Sequence, residues 1–407
     1  MDLKGGRIKM KKFLIVSLCL VMLVGIFGMP KAQQAKLVIW ADDTRTPIFR
    51  EIGEVYTEAT GIPVEVVEMR LDQIRDQAVI ANPAGEGPDL MIAQHDWTGR
   101  LAAGGIIAEL KLPENVLAQF DPVTLEAFSY GGKLYGIPYA REGVALLYNK
   151  DLVPSPPTTW DELIKIAREL TDPTVPQYGF IVEYHPYNFF PIIAALEGYI
   201  FGKTPEGGLN FCDIGLDNVG SVLGAELIDW LLEEGLLPYG IQWETMTGLL
   251  TEGRAGMVIT GPWTIPIARA AGINVDVALI PPIAGQPARP FVSVPGVMVN
   301  AYSPNKAIIQ DFLLNHFITK DTMLIMYQYD PRIPAYLPAY EEIAGELAYP
   351  AFAKSLANGV PMPNVPEMGT VWSFWVDAWE LIGKQELEPW EALHQAAELL
   401  RETLGCK

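Results

Sequence analysis

Residues Lys36 to Trp40 read KLVIW, an apolar run short enough for one buried strand, and from Ile48 to Thr60 the positions Ile48, Ile52, Val55 and Tyr56 recur at helical spacing. Gly61 should end that helix, because glycine tolerates the left-handed conformation of a helix terminus. Pro63 to Val67 alternates like a strand, and after the turn Gly85-Glu86-Gly87-Pro88 the run DLMIA from Asp89 to Ala93 predicts another. Strand, helix, strand in succession is the pattern of a parallel α/β sheet. Ligands of such sheets gather beyond the carboxyl ends of the strands, which nominates Asp42, Asp43, His95, Asp96 and Trp97.

Further along, Gly143 to Asn149 predicts a strand leaving this unit, and Thr159-Trp160-Asp161-Glu162 is a capping box opening a helix to about Leu170. A second α/β unit is predicted from Gln177 to Val182, a helix near Ser221 to Glu234, and a strand Gly256 to Thr260 ending in Gly261-Pro262-Trp263. Phe291 to Asn300 is extended and apolar, Asn305 to Tyr329 is helical, and the chain is expected to return there to the first unit. Trp390, Leu393, Ala397, Leu400 and Leu404 predict a terminal amphipathic helix with its apolar stripe buried.

Composition adds compartment and partner. The 407 residues, 50 % hydrophobic and 19 % charged, suit a globular chain of two or three domains. Lys9, Lys11 and Lys12 precede an apolar run from Phe13 to about Phe27 and then Gly-Met-Pro-Lys-Ala, the succession of a secretory signal peptide over residues 1–32, cleaved after Ala32. Met10 is an alternative start. The run is too short to span a bilayer, and Cys19 follows Leu18 inside it, a poor setting for lipid attachment, so no lipid anchor is expected. An exported, unanchored protein stays with a cell when a second membrane retains it, hence the expectation of a periplasm. The net charge is -20, and without the leader 23 basic residues face 48 acidic ones. Such a field repels nucleic acid and anionic lipid and favours a neutral or cationic ligand. Of the remaining thiols, Cys212 and Cys406, the expectation is burial of Cys212 as a small apolar residue; a disulfide between them is the alternative.

Ten Trp and sixteen Tyr are many, and Trp97, Trp263, Trp372 and Trp375 fall in turn-like settings. Such rings stack on the apolar faces of pyranoses while Asp96, Arg141 and Glu142 suit the hydroxyl rims. Two carboxylates would equally serve a glycoside hydrolase. No nucleophile elbow, zinc, phosphate-loop or calcium-loop motif occurs. Of the four histidines, His316 and His394 read as structural, and His95 and His185 have site-like settings.

These residues resemble the maltose/maltodextrin-binding protein family, the exported substrate-binding subunits of sugar ABC transporters. The likeness runs through KLVIW at Lys36, GEGPDLMIAQHDWTGRLAAGGIIAEL from Gly85, YGGKLYGIPYAREGVALLYNKDLVPSPPTTWDEL from Tyr130, GMVITGPW from Gly256, ARPFVSVPGVMVNAYSPNK from Ala288 and PMPNVPEM from Pro361. It implies a two-lobed periplasmic-binding-protein fold of the α/β class, with an interlobe ligand cleft and hinge crossings near 140–143 and 292–294. Residues 36–140 with about 296–340 would form the N-terminal lobe, and about 144–290 with about 345–407 the C-terminal lobe. It implies Asp96 and Glu142 as hydroxyl acceptors, Trp263 and Trp372 as stacking platforms and Tyr187 as a stacking and hydrogen-bonding ring. The family's acid and base after the first strand are matched loosely by Asp43 or Thr44 and by Arg45.

Departures from the family pattern are equally specific. Ala93 stands where the family has Trp and Trp97 where it has Arg; His185 replaces a pocket Glu, and Ser373 and Val376 replace a Tyr and an Arg. Trp375 is expected to add stacking. The implied protein is a monomeric, cofactor-free, non-enzymatic binder of maltose, a maltooligosaccharide or trehalose that delivers it to permease subunits in the inner membrane. The alternatives are a secreted glycoside hydrolase using Asp96 and Glu142, and a binder of another oligosaccharide or a polyol.

Overall fold

The computed structural model describes residues 35–406; the leader expected over 1–32, with Cys19, lies outside them. Two sheets organise the chain. The first has the strand order Val64–Glu68, Leu37–Ala41, Leu90–Gln94, Pro295–Val299, Gly136–Pro138. Its first three strands are parallel, and Pro295–Val299 runs antiparallel to both of its neighbours. The second has the order Val275–Ala278, Ala145–Asn149, Ala255–Thr260, Tyr178–Val182.

The central strands of both sheets are covered on both faces, which is why they read as largely apolar runs, whereas the edge strands Val64–Glu68 and Val275–Ala278 are half-buried and carry Glu65, Glu68 and Asp276. Side chains alternate between faces: Leu37, Ile39, Leu90, Ile92 and Val297 enter one core with Phe49, Phe312 and Phe317, while Trp40, Met91, Ala93 and Met298 enter another. In the second sheet Leu146, Phe180, Met257 and Ile259 pack toward one core, and Leu147, Ile181 and Val258 toward the opposite one. The architecture is the two-lobed α/β arrangement that the sequence led us to expect.

Three passages of chain join the lobes. Glu142 and Ser293 exchange both backbone hydrogen bonds, at 2.9 and 2.8 Å, so the first two crossings lie side by side. Ile333–Pro334 pairs antiparallel with Ala140–Arg141. Beyond it, the helix Leu337–Ile343 places Ala339 in the first lobe's core, and the helix Pro350–Ala357 places Phe352 in the second's. Gly143 sits where a Cβ would lie 2.6 Å from Leu356 Cδ2 and 2.7 Å from the Phe291 carbonyl, so a larger residue would force these passages apart.

Several elements differ from expectation. The helix predicted over Asn305–Tyr329 is interrupted: Lys306–Phe312 ends in a wide turn over Leu313–Phe317, and Thr319 caps a new helix, Lys320–Tyr329, by accepting from the Thr322 N–H. On the terminal helix Pro389–Thr403, Leu393, Ala397 and Leu400 are buried as expected. Trp390 is 52 % exposed and stacks on His394 instead. Cys212 is not buried alone: it is exposed on the Leu209–Ile214 strand and bonded to Cys406. The terminal helix packs on that strand, which brings the end of the chain back to it.

This bond closes a loop of 194 residues and so restricts the unfolded chain. Cys406→Ser is expected to cost about 2–4 kcal/mol, measured as a lower urea midpoint than the unreduced parent; an unchanged midpoint would show that the staple does not bear on stability.

Candidate ligand-binding cleft

The Leu90–Gln94 strand runs into a single tight turn, His95–Trp97, which carries Asp96 to the strand's carboxyl end. Asp96 is 9 % exposed, and its Oδ2 accepts a hydrogen bond of 3.0 Å from Trp372 Nε1 on the Met368–Gly383 helix of the other lobe. Burial raises the Asp96 pKa to about 6, against the opposing pull of the Trp372 hydrogen bond and of Arg75.

From the second lobe, His185 caps the helix Pro186–Ala195, its Nδ1 accepting from the Tyr187 N–H, and its ring lies 5.6 Å from that of Trp372. Burial lowers the His185 pKa to about 4, with Arg75 adding to the effect, so the ring is neutral at physiological pH. Tyr187 lies 6.3 Å from Trp263 and 5.9 Å from Phe291, and its hydroxyl shares a 3.1 Å hydrogen bond with Ser293 Oγ on the crossing. Burial, with Glu142 adding, pushes that hydroxyl's pKa well up, keeping it a donor. Trp263 follows Gly261 in a tight turn; a Cβ on Gly261 would come within 2.1 Å of the Trp263 ring, so only glycine leaves the ring room there.

At the hinge end, Glu142 is 3 % exposed and fully engaged: Oε1 accepts from Gln94 Nε2 at 2.8 Å, and Oε2 pairs with Arg332 Nε and lies 3.7 Å from Arg45 Nη2. Arg45 is also buried, paired with Asp42 and donating through Nε to the Tyr139 hydroxyl at 2.7 Å. Asp43 stands exposed at the rim, where Trp243 Nε1 of the second lobe reaches its Oδ2 at 3.4 Å; nearby, Arg70 Nη1 meets Glu244 Oε1 at 2.9 Å across the lips. The lobes are therefore in contact from hinge to rim.

Not every nominated side chain faces this gap. Trp97 packs inside the first lobe with Ala93, Leu101 and Phe128, because the tight turn directs it back over the sheet. Trp375 is 1 % exposed in the second lobe's core and supports Trp372 from behind, ring to ring at 5.7 Å, since residues three apart lie along one helix side. His95 is a structural pin: Nδ1 accepts from the Val294 N–H and Nε2 donates to the Met362 carbonyl, joining a strand end, a crossing and the returning loop. Burial lowers its pKa to about 4. Sequence reasoning missed Gln94, Trp243, Arg70 and Arg332. Arg332 carries no motif, and only the folding back of the third passage brings it to the hinge. Among the described residues no cluster of three or more His, Cys, Asp or Glu side chains is disposed to hold a metal ion.

Two α/β lobes closed over aromatic and polar side chains around three crossings define the two-lobed solute-binding class. The profile of the family described as bacterial extracellular solute-binding protein matches residues 51–354, and the chain belongs to that family. It is 29 % identical to a galactooligosaccharide-binding protein of Bacillus subtilis (strain 168), over 92 % of this chain and 90 % of that one. It is 30 % identical to a maltotriose-binding protein of Pyrococcus abyssi, over 83 % of this chain and 75 % of the relative. Its fold is similar to the solved maltotriose-binding protein of Thermus thermophilus bound with maltotriose, with a TM-score of 0.86 and 28 % identity over 91 % of this chain and all of that one.

The Asp96 pKa yields a signed test. In the closed arrangement, with Trp372 of the second lobe against it, the carboxyl is lifted from 3.8 to about 6, so it holds its proton more tightly closed than open, and its ionised form opposes closure increasingly from about pH 4 to 6 and fully above. Asp96→Asn keeps an acceptor for Trp372 and is expected to favour the closed arrangement near neutral pH by up to about 3 kcal/mol, read by small-angle scattering as a smaller radius of gyration of the unliganded variant than of the parent. The difference should vanish below about pH 4; equal radii at neutral pH would contradict a charged Asp96 buried by closure.

Proposed function

We propose that this chain captures a neutral oligosaccharide between its lobes and hands it to the permease subunits of an ABC transporter. The glucosidic class, meaning maltose, a maltooligosaccharide or trehalose, is the reading favoured here. The observation that carries it is the meeting of Tyr187, Trp263 and Trp372 with Asp96 across one cleft. Rings take the C–H faces of pyranoses, and carboxylate, hydroxyl and imidazole take their hydroxyls. A maltotriose-bound structure among the similar folds supports the same class. The galactooligosaccharide-binding relative, matching over nearly the whole chain, makes a galactose-containing oligosaccharide the second reading.

Binding would shift an equilibrium between open and closed lobes, because a sugar touches both halves of the site only when they meet. Hydrolysis is the weaker alternative. Glu142, the partner Asp96 would need, has both oxygens committed to Gln94 and Arg332. The protein would work outside the cytoplasmic membrane, in a periplasm, as a monomer freed of its leader and of any lipid anchor.

Intrinsic Trp fluorescence titrated with maltose, maltotriose, trehalose and a galactooligosaccharide should saturate with at least one, without sugar consumption. Silence with all four would defeat the oligosaccharide reading, and release of free monosaccharide would restore the hydrolase. Trp263→Ala should weaken the bound sugar about tenfold or more, stacking being worth about 0.5–1.5 kcal/mol beyond the buried area. Affinity should also change little between low and about 1 M salt, conditions that would screen a charged ligand's attraction.

A further inference from the structure

Arg332 enters the cleft from the third passage and is 3 % exposed. Its Nε pairs with Glu142 and its Nη1 with Asp330, which leaves Nη2 a buried donor without a hydrogen-bond partner. The guanidinium carbon lies 5.8 Å from the centroid of the Trp263 ring, in the opposite lobe, and that ring stands 6.3 Å from the Tyr187 ring. One side chain thus touches the hinge through two nitrogens and meets the second lobe's aromatic wall with the rest of its fork.

We propose that Arg332 is a ligand-contacting, specificity-determining residue, whose Nη2 donates on lobe closure to an oxygen of the sugar lying against Trp263. The proposal rests on the oligosaccharide reading above and adds to it the group that fixes the polar end of the site. Glu142 is the residue that family resemblance nominates there, yet its oxygens are already taken by Gln94 and Arg332. Its part is to hold the guanidinium in place, which makes it a positioning residue.

Charge balance indicates which oxygen is wanted. Around Arg332 and Arg45 stand Asp42, Glu142 and Asp330, three carboxylates against two guanidiniums, all buried. The positive charge is compensated, so Nη2 contributes a directed hydrogen bond and no surplus attraction for an anion. A hydroxyl, ring or glycosidic oxygen satisfies it, and a carboxylate gains no advantage. Closure without such an oxygen strands a charged donor away from water, which is costly; closure around one satisfies it. Arg332 thereby links occupancy of the cleft to the closed arrangement.

The test compares the unmodified protein with Arg332→Lys, each titrated with maltotriose, trehalose and a galactooligosaccharide. Lysine keeps the charge facing Glu142 and Asp330 but lacks the second terminal nitrogen. For the sugar that the parent binds, affinity should fall about 10- to 100-fold, the range for a hydrogen bond to a charged group, with the melting temperature of the unliganded variant close to the parent's. A folded variant within about threefold of the parent's affinity overturns the proposal alone. No binding by the parent overturns the oligosaccharide reading and this proposal with it. Should the variant fail to fold, a crystal structure of the parent with its sugar decides: a sugar oxygen within about 3.2 Å of Nη2 is expected, and an Nη2 that meets only protein or water refutes it.

Discussion

Asp42, Arg45, Glu142, Asp330 and Arg332 are each under 5 % exposed, and together they form one ionic cluster where the lobes join. Buried charges are tolerated only when paired and hydrogen-bonded. Two pairings here are local, Asp42 with Arg45 and Asp330 with Arg332, and Glu142, paired with Arg332 and 3.7 Å from Arg45, ties their two stretches to its own. Asp42 and Arg45 come from the end of the first strand, Glu142 from the first crossing, and Asp330 and Arg332 from the chain leading into the third passage. Removing any one charge would leave its partners desolvated and unmatched, so the cluster holds the floor of the cleft fixed. Everything above that floor depends on it: the side-by-side crossings at Glu142 and Ser293, the placing of Tyr187 against Ser293, and the contact of Arg332 with Trp263.

Above the floor, the two lobes contribute different chemistry. The first offers Asp96 at the end of a buried parallel strand, where exclusion of water lifts its pKa to about 6. The second offers rings held by their own cores: Trp372 backed by Trp375, Tyr187 backed by Phe291, and Trp263 turned over Gly261. Neither half suffices alone to surround a sugar. The direct contacts between them, Trp372 with Asp96 and Trp243 with Asp43, join the lobes in the arrangement described here. On the function proposed, a site divided in this way would couple binding to lobe closure without requiring any change inside either lobe.

How much of this was legible in the sequence follows from the range of the interactions. Strands buried on both faces declare themselves as apolar runs, so KLVIW, DLMIA and the Gly256 to Thr260 segment were readable, and with them the α/β class. Asp96 was readable as a strand-end carboxylate. Trp263 and Trp372 were candidates from their turn-like settings, but only family likeness gave them and Tyr187 a place in the cleft, because an aromatic in a turn looks the same in sequence whether it faces a cleft or a core. Trp97 and Trp375 demonstrate that ambiguity, both having proved to be core residues. The Cys212–Cys406 bond and the Arg332–Glu142 pair join positions 194 and 190 residues apart, and local pattern carries no trace of either.

The central claim is that ligand occupancy and lobe closure are one event about a fixed hinge. Small-angle X-ray scattering of the purified protein, with and without a saturating concentration of the sugar that quenches or enhances its fluorescence, measures this directly. The account predicts a larger radius of gyration without sugar, falling on saturation to the value calculated from the closed arrangement described here. Identical scattering curves in the two conditions, with binding confirmed in the same samples, would contradict it.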